Sequence, residues 1–77
     1  MQEELFPTGS SVLYALISVL YAALEGAWIC ESYSMNSEEA GDRALAQFFR
    51  EIQQEERGRA ERARELLKQR IGLIWDP

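Results

Sequence analysis

At 77 residues and 8.8 kDa the chain is one domain, and a domain this small buries only about 60% of the surface its unfolded chain exposes, so its own core is thin. It has no histidine and a single cysteine, Cys30, which excludes imidazole-dependent nucleophiles, His-ligated metal sites and any internal disulfide. The net charge of −5 conceals an asymmetry: residues 1–42 hold seven acidic residues and no basic one, while all eight Lys and Arg lie between Arg43 and Arg70.

The opening MQEELFPTGSS reads as an acidic lead-in that closes on Phe6-Pro7 and a helix start, with Thr8 or Ser10 placed to cap the first free amides. No basic stretch precedes the apolar run that follows, so a cleavable signal is not expected. From Val12 to Cys30, sixteen of nineteen residues are apolar, the exceptions being Ser18, Glu25 and Gly26. As a helix this run is about 28 Å long, enough to reach across a bilayer. Glu25 within the run, the lack of flanking Lys or Arg and the amphipathic segment that follows argue instead for a helix buried by several protein neighbours, in the cytoplasm. Helix 1 is expected over about residues 10–35.

The segment MNSEEAGD interrupts the apolar pattern and predicts a turn over about residues 36–41. Either Asn36 or Ser37 opens the second helix, with Glu38 and Glu39 in its first turn, or Asp42 caps it after Gly41. Strong helix formers without a proline then predict a long amphipathic helix 2 over about residues 42–71, ending near Gly72. The tail 72–77, with Leu73, Ile74 and Trp75, is expected to fold back over the bundle. The arginines of helix 2 are threaded with Glu55, Glu56, Glu61 and Glu65, the pattern of a solvated face rather than of a nucleic-acid surface. The fold class is all-α, an antiparallel two-helix hairpin. A hairpin covers one side of each helix, and helix 1 needs more cover than that, so two hairpins are expected to pair as a homodimeric four-helix bundle.

At about 100° per residue, Leu45, Phe49, Ile52, Ala60, Ala63 and Leu67 share one stripe of helix 2, with Glu56 at its centre and Arg59 at its border. A carboxylate among apolar neighbours has to be protonated, paired or metal-bound, so Glu56 with Arg59 is a candidate buried ion pair. On helix 1, Val12, Leu16, Val19, Leu20, Ala23, Ala27 and Cys30 form an apolar face. Opposite runs a ladder of Ser11, Ser18, Glu25 and Ser32, flanked by Tyr14, Tyr21 and Trp28. That ladder is either the wetter side of the helix or the side that faces a second helix, with Glu25 a semi-buried functional carboxylate. A turn near residue 39 or 40 brings Glu25 and Glu56 to similar heights, about 1.5 Å of rise per residue being the scale, so the two can meet within one hairpin. Cys30, Trp28 and Trp75 read as packing residues, Tyr14 and Tyr21 as interface, and Gly58 as a point of close helix approach.

A glutamate on helix 1, followed on helix 2 by Phe48-Phe49-x-x-Ile52-x-x-Glu55-Glu56, resembles the ferritin-like and rubrerythrin-like proteins, above all half-size members that dimerise around a di-iron site. The matching stretch runs from Leu24 to Leu67. The resemblance implies metal ligands at Glu25 and Glu56, with Glu31 or Glu55 as auxiliary ligands for iron or manganese. The family's Glu-x-x-His is here Glu56-x-x-Arg59, and arginine cannot ligate a metal. The expectation is therefore a ferritin-like dimer with a degenerate or absent metal site, structural, regulatory or partner-binding rather than enzymatic. Its alternatives are a carboxylate-ligated iron or manganese protein and a small membrane-anchored subunit.

Overall fold

Along the first segment the least exposed residues in its second half are Leu20, Ala23, Ala27, Cys30, Ser34 and Ser37, spaced alternately by three and four. The second segment repeats the pattern with Ala46, Phe49, Gln53, Glu56, Ala60 and Ala63. Such spacing makes one continuous seam on a helix, and two seams bury each other. A computed structural model, which describes residues 9–74, shows that outcome: α1 (Gly9–Glu39) and α2 (Arg43–Ile74) pack as an antiparallel hairpin, with no strand among the described residues. The fully buried positions are all small, namely Ala23, Ala27, Cys30, Ser34 and Ser37 on α1 and Ala46, Ala60 and Ala63 on α2. Small side chains let the helices approach closely, and among the described residues they leave every large apolar side chain at least partly outside. The buried hydroxyls are satisfied within α1: Ser34 Oγ donates to the Glu31 carbonyl at 2.9 Å and Ser37 Oγ to the Tyr33 carbonyl at 2.8 Å.

The connection is a helix stop and a helix start sharing one residue. Gly41 adopts φ +81°, its N–H donates to the Glu38 carbonyl at 2.9 Å, and the Asp42 N–H donates to the Ser37 carbonyl at 2.9 Å. These two bonds are the Schellman arrangement, which needs a left-handed residue and so favours glycine. Asp42 then caps α2, accepting the Leu45 N–H on Oδ1 at 3.1 Å and the Ala46 N–H on its carbonyl at 3.0 Å. Of the two caps open to the sequence, Asp42 is the one used.

The helices are longer than expected. Asn36–Glu39 continue α1 because Ser37 falls on the buried seam, so polar composition there does not mean turn. At the other end α2 runs through Gly72 to Ile74, so residues 72–74 extend the helix instead of folding back; Trp75–Pro77 lie outside the described residues. Ser10 lies within α1, and Thr8 lies outside the described residues.

Candidate functional site

Two helices in a single layer leave two lateral faces, and three contacts between α1 and α2 say which residues stand on which. On one side the Glu56 side chain lies over Gly26, where an added Cβ would come within 3.3 Å of Glu56 Cδ. On that side too the Tyr33 ring meets the Phe49 ring, centroids 5.3 Å apart. On the other side Arg50 Nη2 pairs with Glu38 Oε2. Seven residues are almost two helical turns, so steps of seven carry each contact along its own edge. The first face therefore holds Val12, Val19, Gly26 and Tyr33 from α1, and Leu45, Ile52, Arg59 and Leu66 from α2. Phe48 joins it, its ring 5.6 Å from that of Phe49 and 52% exposed. The second face holds Ile17, Leu24, Glu31 and Glu38 beside Arg43, Arg50, Arg57 and Arg64.

The Glu56–Arg59 pair sits at the middle of the first face. Arg59 Nη1 donates to Glu56 Oε1 at 2.6 Å, a charge-assisted bond within one turn of helix. The Glu56 side chain is 25% exposed and that of Arg59 54%, so in the single hairpin the pair is not buried. Glu25 stands apart: it is exposed, on the side of α1 turned away from α2, with Ser11, Ser18 and Ser32. One hairpin thus places Glu56 against Gly26, the neighbour of Glu25 in the chain, without bringing the two carboxylates together.

That arrangement does not fit a metal ion within one chain. Among the described residues no group of three or more Cys, Asp or Glu stands close enough to hold one, and an oxygen of Glu56 is already taken by a guanidinium. Glu31 and Glu55 are both exposed.

Several other residues fall away from their expected places. Trp28 is 72% exposed rather than packed in the hairpin, and Val12, Val19 and Leu45 are exposed at the edges of the predicted core stripes. Gly58 has open space around it, and the close approach is at Gly26 instead. Cys30 is buried with a free thiol, as a small core residue. Two features escaped sequence reasoning: the lateral apolar role of Phe48, and the ladder Arg43, Arg50, Arg57, Arg64. The ladder's signal is its constant seven-residue spacing, hidden by the glutamates threaded through the same segment.

No family model, curated protein or solved structure matches this chain.

Proposed function

We propose that the chain is a cytoplasmic dimeric helical scaffold, in which two hairpins meet through their Glu56 faces as a ferritin-like four-helix bundle. The Glu56–Arg59 pairs then occupy the bundle's middle, with guanidinium charge standing where a di-metal centre's charge would be, and the role is structural or partner-binding rather than enzymatic. The observation that carries this reading is the inversion of size across the hairpin: small residues fill its seam while Phe48, Tyr33, Leu45 and Val19 stand outside on one face. Burying apolar surface at about 25 cal/mol per Å² is the main stabilising resource of a domain this small, and a second layer on this face recovers it.

Sedimentation equilibrium or light scattering tests it. The expected mass is twice 8.8 kDa, and Leu45→Glu with Phe48→Glu, both exposed in the hairpin, gives a folded monomer. A native chain that stays monomeric at high concentration overturns the reading. Elemental analysis of protein from iron- and manganese-supplemented cells separates the scaffold from the carboxylate metalloprotein. Near one metal per chain, lost in Glu56→Ala, establishes the latter, with Glu25 and Glu56 as ligands across the dimer.

One observation favours a second reading, a membrane-anchored subunit: Ser11–Glu39 is long and apolar enough to cross a bilayer, and only 11% of its apolar window is buried in the hairpin. A dimer recovered without detergent excludes it.

A further inference from the structure

We propose that the second lateral face, the one carrying Arg43, Arg50, Arg57 and Arg64, docks on an anionic lipid surface. Bundle formation through the Glu56 face leaves this one open, so the inference goes beyond the scaffold reading. Along the outer edge of α1 stand Tyr14, Tyr21 and Trp28, all exposed and seven residues apart, with the exposed Ile17 and Leu24 between them and the arginine edge. Over roughly 20 Å of helix this is a flat strip of aromatic rings and aliphatic chains, each ring with a polar edge. Beside it α2 sets its four arginines at the same seven-residue interval. Glu38 is engaged by Arg50 and Glu61 by Arg64, and Glu31 stands exposed on the same face, whereas Arg43 and Arg57 make no ion pair among the described residues; four arginines against three glutamates leave the face slightly positive.

Apolar side chains with Trp and Tyr at the polar boundary and arginine alongside are what the headgroup region of a membrane accommodates, with acyl chains taking the apolar strip and anionic headgroups the guanidinium groups. The net charge of −5 works against any anionic surface, so the attraction is local to this face and salt-sensitive.

The test uses the full chain with Trp75→Phe, leaving Trp28 as the reporter, and vesicles of phosphatidylserine with phosphatidylcholine or of phosphatidylcholine alone. The expected result is cosedimentation with the anionic vesicles, a blue shift of Trp28 emission, and release by raised salt. Arg57→Gln with Arg64→Gln weakens binding roughly thirtyfold while helicity by circular dichroism is unchanged. Four results overturn the inference: binding to neither vesicle; equal binding to both that the double variant leaves unaltered; retention through salt and alkaline extraction, which marks a spanning helix; or binding to polyglutamate with none to vesicles, which marks an acidic protein partner. In the proposed dimer the two arginine faces point in opposite directions, so anionic vesicles cluster and turbidity rises. Salt-sensitive binding without clustering upholds the lipid contact and overturns the dimer.

Discussion

Gly41 holds a left-handed backbone with nothing within 4 Å of where a Cβ would stand, so Gly41→Ala tests conformation alone. Denaturant unfolding is expected to show a loss of about 1 kcal/mol, and D-alanine at the same position in a synthetic chain a gain; equal losses from both would mean that the turn's handedness is not the cause. Two helical glycines part company in the same assay. Gly58→Ala meets open space and is expected to stabilise by about 1 kcal/mol through helix propensity. Gly26→Ala has to displace the Glu56 side chain, so its comparable gain emerges only in a Glu56→Ala background. The Glu56–Arg59 pair makes a conditional prediction. In the monomeric Leu45→Glu, Phe48→Glu background, removing Arg59 costs less than about 1 kcal/mol, as for a solvent-screened pair. In the proposed dimer, where the facing hairpin would cover the pair, the same removal is expected to cost about 3–5 kcal/mol by leaving a buried charge alone. Equal costs in the two backgrounds would place the pair outside the interface.

At the scale of the helices, the seam depends on side-chain size as much as on hydrophobicity. Ala27 and Ala60 are buried with little room, so Ala60→Leu is expected to force α1 and α2 apart and destabilise by about 1–3 kcal/mol in thermal melts, although leucine is both apolar and helix-favouring. The same dependence explains what could be read from the chain in advance. Ala23, Ala27, Cys30, Ala60 and Ala63 lie on the apolar stripes that periodicity marks out, although which side of α1 meets α2 does not follow from it, and Asp42 stands among the expected caps because its chemistry is local. Asn36–Glu39 read as a turn because their composition is polar, but the seam continues through Ser34 and Ser37, whose hydroxyls return to α1's own carbonyls. The exchange of roles between Gly26 and Gly58 was not legible, because it depends on which side of α2 faces α1 at that height, a matter of long-range register. The separation of Glu25 from Glu56 has the same origin: equal height was readable, direction around the helix relative to a partner was not. Arginines 43, 50, 57 and 64 were hidden for a different reason, their spacing acquiring a meaning only once α1's aromatic strip lies beside it.

For the molecule as a whole, the hairpin is a slab only 13 Å thick, so no residue in it is far from a lateral face. Its stability is expected to be inseparable from assembly: the melting temperature should rise with protein concentration, and the Leu45→Glu, Phe48→Glu double variant should abolish that dependence, as read by differential scanning calorimetry. A melting temperature that ignores concentration would mean that each hairpin stands alone. The two helices are nearly equal in length, 31 and 32 residues, and run antiparallel, so the start of α1 and the end of α2 lie at one end of the slab. Where two hairpins pair with these ends side by side, a flexible connector joins two copies written in tandem and turns a meeting of molecules into a closure within one chain, where effective concentrations reach the millimolar range. In the proposed dimer, a chain joined in this way would let its two halves diverge, one keeping Arg59 and the other taking a different side chain in its place.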